Sequence, residues 1–119
     1  IRADMPTGQW ADLARASSIP LAAGENITGF DNFDAAIGSG NFGFIQPDVA
    51  KWGGVTGCYR IGKEILHGGR TYCPHFLGGG IGLIASGHLL AATGGAGLLE
   101  VDINANPLRD AFFPDGMCQ

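Results

Sequence analysis

Apolar and polar positions along the chain fall into short runs that alternate between two periodicities. The segment SIPLAAGE, residues 18–25, is a brief apolar run closing in Gly-Glu, and DNFDAAIGSG after it predicts a short helix with Asp31 as N-cap and a glycine stop. NFGFIQPD, residues 41–48, is a second strand-like run. It is followed by VTGCYRIGKEILHGG, where Val55, Cys58, Ile61, Ile65 and Leu66 recur at helical spacing before a double glycine. RTYCPH, residues 70–75, is a third run and leads into the helical pattern GIGLIASGHLLAATGG. GLLEVD, residues 97–102, is the fourth. Strand and helix alternating in short units predict a parallel α/β architecture of about four strands. The tail NANPLRDAFFPDGMCQ is predicted irregular from residue 103 to 119, with Leu108, Phe112 and Phe113 free to pack on the body.

Composition narrows what this architecture serves. A chain of 119 residues with 45% hydrophobic content is a single domain with enough apolar surface for a core. Only 15% of residues are charged and the net charge is -4, so no basic stripe exists for nucleic acid or an anionic membrane. The longest apolar run, Ile81 to Ala92, falls short of the roughly 20 residues a bilayer requires and contains Ser86 and His88. The N-terminus has no signal-peptide pattern and no initiator Met, which reads as a chain processed or truncated ahead of Ile1. Cys58, Cys73 and Cys118 are odd in number and lack C-x-x-C spacing, which predicts reduced thiols in a cytoplasm.

Each strand-like run closes on an ionisable residue: Glu25, Asp48, His75 and Glu100, separated by 23, 27 and 25 residues. A spacing near 25 is about one βα unit, so the four occupy equivalent places at the C-terminal rim of a parallel sheet, where active sites assemble. Neighbouring strands lie about 4.8 Å apart, which makes Asp48 and His75 adjacent. A carboxylate beside an imidazole fixes its tautomer and makes it a stronger base, suited to taking a proton from carbon. Glu25 and Glu100, one strand further out on either side, are oxygen donors for a hard cation or hydrogen-bonding acids. Any one such residue alone is ordinarily a helix cap or a solvated loop residue; it is the register of four that points to chemistry.

Other candidates carry less. His67 ends a helix beside its last carbonyls, and His88 sits among Ile84, Leu89 and Leu90 as a packed residue. FLGGGIG, residues 76–82, opens a helix but lacks the Lys-Ser/Thr of a Walker motif. Lys51 and Trp52 read as a solvated lysine and a packing tryptophan, and Gly53-Gly54 as the turn from rim to helix.

IPLAAGEN, IQPDVAKWGG, CPHFLGGGIGLIASGHLLAA and LLEVDINANPLRD together resemble the C-terminal part of the enolase superfamily, in its mandelate racemase and acid-sugar dehydratase branch. The resemblance implies that residues 1–119 are the C-terminal portion of a TIM-type (β/α)7β barrel domain. In that family the Glu of GEN is the third magnesium ligand, which maps to Glu25. The Asp of QPD and the His of PH form the general-base dyad, Asp48 and His75, and the last-strand Glu, here Glu100, contacts the substrate carboxylate or acts as an acid. In the muconate-lactonizing branch the position of Asp48 is typically a lysine, so aspartate favours the His-Asp branch.

The reaction implied is removal of the proton α to a sugar carboxylate, with Mg2+ stabilising the developing charge, and then loss of water. The partners implied are an acid-sugar substrate, the N-terminal half of the same protein with the other metal ligands, and further copies in a homo-oligomer. A full barrel takes roughly 250 residues and eight strands, so these residues alone are expected to be inactive. A racemase, epimerase or sugar-lactone cycloisomerase of the same branch is the second reading, and a non-catalytic half-barrel the third.

Overall fold

The computed structural model describes residues 7–112. In chain order these residues form α1 (Thr7–Ala16), β1 (Leu21–Ala23), α2 (Phe30–Ser39), β2 (Phe42–Ile45), α3 (Gly54–His67), β3 (Thr71–Tyr72), α4 (Gly80–Thr93) and a single turn, α5 (Pro107–Asp110). The strands make one parallel sheet in the order β1-β2-β3, paired Ala23 to Ile45 and Ile45 to Tyr72.

Packing follows from the period-two alternation of the strands against the 3.6-residue repeat of the helices. Ile45 and Tyr72 turn to the helical side and meet Phe33 of α2 and Cys58, Ile61 and Ile65 of α3, all fully buried, with Leu89 of α4 completing the cluster. Phe44 points to the opposite face of the sheet and is partly exposed. Helix α3 begins only because the chain reverses at Gly53 and Gly54, whose φ angles of 72° and 55° are left-handed. A Cβ on Gly53 would also stand 3.0 Å from the Cα of Gly57.

Three expectations change. The run Gly97–Asp102 is not a strand: it lies beside β3, with the Leu98 N–H on the Cys73 Sγ at 3.4 Å, but forms no ladder. Gly97 packs directly on the Tyr72 carbonyl, so the backbone approaches β3 edge-on and three strands are formed among the described residues, not four. Helix α2 starts at Phe30 with Gly29 in the cap position, which puts Asp31 in its first turn, favourable to the helix dipole but not the cap.

The tail is ordered over α5, where Asn106 caps and Pro107 occupies the first turn. The Asn106 side chain accepts from the N–H groups of Leu108 (3.1 Å) and Arg109 (3.2 Å) and donates to the Gly78 carbonyl. Buried Arg109 donates to the carbonyls of Asp102 and Asn104, tying the preceding loop down. Phe113 and Cys118 lie outside the described residues. Helix α1 had no counterpart among the predicted elements.

Cys58 and Cys73 are free and buried. Burial, with the Asp48 carboxylate adding to it, pushes the Cys58 thiol from its ordinary 9.0 up to about 11. A raised folded-state value means that the folded chain holds the proton more firmly. Its contribution to stability is therefore complete below pH 9.0 and declines as pH rises through about 11. Urea midpoints measured between pH 8 and 11 should fall accordingly, and fall less steeply in Cys58→Ala; equal slopes would refute the assignment.

Candidate active site at the strand ends

Beyond Ile45 and Tyr72 the two chains run on in matched register through Gln46-Pro47-Asp48 and Cys73-Pro74-His75. The Cys73 N–H donates to the Ile45 carbonyl (3.1 Å) and the His75 N–H to the Pro47 carbonyl (3.1 Å), and Asp48 and His75 form an isolated parallel bridge. Pro47 and Pro74 are fully buried, each fixing φ just before a functional residue. The 27-residue separation therefore brings carboxylate and imidazole side by side.

Asp48 Oδ2 lies 2.8 Å from His75 Nδ1. Both residues are shielded, at 6% and 7% exposure, so water does not compete for the bond. The other oxygen, Asp48 Oδ1, accepts from the N–H groups of Ala50 (2.8 Å) and Lys51 (3.2 Å). The ordinary turn-capping role and the dyad are thus both filled, one by each oxygen of the same carboxylate.

The second ring nitrogen, His75 Nε2, is 2.8 Å from Glu25 Oε2. This contact reaches across β2 from the end of β1 and was not expected from strand order. Each ring nitrogen thus faces a carboxylate oxygen, Nδ1 that of Asp48 and Nε2 that of Glu25. Glu25 is set at its place by Gly24, which has φ 141° and whose Cβ position lies 2.6 Å from the Gln46 nitrogen.

Lys51, read from sequence as solvated, reaches Glu25 Oε2 and Asn26 Oδ1, each at 3.2 Å, while the Asn26 amide donates to Glu25 Oε1. Hydrogen bonding from Lys51 holds the Glu25 carboxyl below the usual carboxylate range; the charges of His75 and Lys51 and the Asn26 bond act the same way, against partial burial. Trp52 packs edge-on to Phe30 and against Phe33, as expected of it.

Glu100 joins His75 and Glu25 on the wall of a cleft of about 430 Å³, together with Trp10, Gln46 and Leu77. Its Oε2 is buried with no hydrogen-bond partner. His75 thus touches both Asp48 and Glu25, and Glu100 shares the cleft lining with His75 and Glu25. Sequence reasoning missed Asn26, Lys51 and the apolar wall of Trp10 and Leu77. The only signals available for the first two were adjacency to Glu25 and the three-residue step from Asp48.

Among the described residues no group of three or more His, Cys, Asp or Glu side chains could hold a metal ion. The donors present fit a hard cation as part of its shell. The carboxylate of Glu25 and the amide oxygen of Asn26 converge on the Lys51 ammonium, which stands where positive charge is favoured. The remaining oxygens of such a shell are not among these residues.

A parallel strand-and-helix array carrying an Asp-His pair and flanking glutamates on its C-terminal rim is the C-terminal part of a TIM-type barrel. Residues 2–117 match the family model described as Enolase C-terminal domain-like, and the chain belongs to that family, within the enolase superfamily. It is 35% identical over 91 residues to D-galactonate dehydratase of Xanthomonas euvesicatoria pv. vesicatoria (strain 85-10), covering 76% of this chain and 24% of that protein. Among solved structures, a mandelate racemase/muconate lactonizing enzyme from Bordetella bronchiseptica RB50 superposes with a TM-score of 0.89 at 51% identity, over 93% of this chain and 31% of that one. The 3,6-anhydro-D-galactonate cycloisomerase from Zobellia galactanivorans gives a TM-score of 0.79 at 26% identity, over 87% and 29%. The chain spans about a quarter of the length of the curated relatives it matches.

Proposed function

We propose that this chain supplies the general-base side of the active site of a magnesium-dependent acid-sugar dehydratase, as the C-terminal part of a longer protein. The single observation that carries the reading is the shielded 2.8 Å contact between Asp48 and His75 on the rim of the cleft. His75, through Nε2 and with Glu25 drawn off that nitrogen, takes the proton α to the substrate carboxylate; Asp48 holds the ring through Nδ1 and balances the charge that the proton brings. The same imidazole then returns its proton to the departing hydroxyl, which leaves as water and yields a 2-keto-3-deoxy acid. Glu100, which lines the same cleft, contacts the substrate carboxylate or acts as an acid. Mg2+, when bound with Glu25 as one ligand, supplies positive charge for the carboxylate end of the substrate. Free thiols at Cys58 and Cys73 suit a cytoplasmic setting.

The likeness to D-galactonate dehydratases supports a lyase acting on an aldonate or related acid sugar. The likeness to a mandelate racemase/muconate lactonizing enzyme at 51% identity favours an isomerase of the same branch as the second reading. Incubating the full-length protein with Mg2+ and a panel of acid sugars in heavy water separates the two. A dehydratase gives a keto acid, whereas an isomerase returns deuterium to the α-carbon with no net loss of water. Neither product from any acid sugar would remove the proposal. These 119 residues by themselves should turn over nothing, since one carboxylate cannot complete an octahedral magnesium site.

A further inference from the structure

The Glu25 carboxylate is engaged by groups of the same chain. Its Oε2 is shared by two nitrogen donors, His75 Nε2 at 2.8 Å and Lys51 Nζ at 3.2 Å, and its Oε1 accepts from the Asn26 amide. The two nitrogens on Oε2 differ in freedom. His75 is buried and fixed by Asp48, so it cannot withdraw. The Lys51 side chain is 41% exposed and already touches a second oxygen, Asn26 Oδ1, onto which it can fall back without leaving the rim.

Its backbone is meanwhile held by the dyad itself, since the Lys51 N–H donates to Asp48 Oδ1. An exposed ion pair of this kind adds little to folding. Its effect falls instead on whatever else seeks the carboxylate.

Resting on the reading of Glu25 as a cation donor, we propose that Lys51 is a resident counter-ion that competes with the divalent cation for the Glu25 carboxylate. On cation entry its ammonium passes to Asn26 Oδ1. Lys51 is a positioning residue here: it keeps Glu25 aimed along the rim and sets how tightly the cation is held. Competition of this kind is electrostatic, so it weakens as salt screens the ammonium.

The test is cation binding, without substrate, to the full-length protein: calorimetric titration with Mg2+ and Mn2+ at low and high ionic strength. Lys51→Gln, which keeps a hydrogen-bonding group and drops the charge, should bind the cation about fivefold more tightly at low salt, with the gain shrinking at high salt. Lys51→Arg, which keeps the charge, should stay close to wild type. Glu25→Gln should lose most of its binding. If Glu25→Gln binds as wild type does, the donor reading itself is wrong and the inference goes with it. If Glu25→Gln loses binding but Lys51→Gln is unchanged or weaker, the counter-ion role alone is overturned.

Discussion

His75→Asn in the full-length protein is expected to lower turnover of its acid sugar, and exchange of the α-proton with solvent, by about 10²- to 10⁴-fold, the range that positioned acid-base groups supply. Asparagine keeps a donor near Asp48 but offers no basic ring nitrogen to the cleft. The backbone bridge from His75 N–H to the Pro47 carbonyl does not involve the side chain, so the sheet should form unchanged. Urea unfolding serves as the control. A variant that folds normally and still exchanges the α-proton at the wild-type rate would move the base elsewhere.

The second large effect is expected at a residue with no side chain. Gly24 has φ 141°, which side chains rarely adopt, and a Cβ there would stand 2.6 Å from the backbone nitrogen of Gln46. That nitrogen is engaged, donating to the Ala23 carbonyl at 2.9 Å and closing β1 onto β2 at the rim. Gly24→Ala must therefore part the two strands where Glu25 is mounted. Backbone strain and overpacking together should cost about 2–4 kcal/mol of stability. The urea midpoint should drop accordingly, and cation binding should weaken along with it. An unchanged midpoint would mean that the rim yields without loss.

How much of this was legible in the sequence differs from element to element. The Asp48–His75 pair was legible because a parallel sheet turns a separation near one strand-and-helix unit into spatial adjacency at neighbouring strand ends. Helix α3 was legible for a similar reason: Cys58, Ile61 and Ile65 repeat at a helical interval and all three are buried. The fourth run failed because period and composition do not say whether a neighbouring backbone accepts the pairing. Gly97 lies on the Tyr72 carbonyl, and the edge of β3 is met by a Cys73 Sγ contact in place of a ladder.

The cross-strand contact from Glu25 to His75 was invisible for a different reason. Strand order puts those residues two strands apart, and only the length and direction of both side chains close the gap. Lys51 could be placed near the rim by its three-residue step from Asp48. Its choice of Glu25 over solvent depends on a neighbouring turn, Gly24-Glu25-Asn26, that no local pattern connects to it.

The matched register of Ile45–Asp48 against Tyr72–His75 also sets where this rim can change length. Everything between Val49 and Arg70 is a detour that leaves one strand and returns to the next, so residues can be gained or lost in its turns while the two ends stay aligned. A single residue inserted within either four-residue stretch would instead turn the following side chain to the other face of the sheet and separate acid from imidazole. Variation in helix and loop and constancy of strand end are thus imposed on this segment by geometry, before any demand of a substrate is considered.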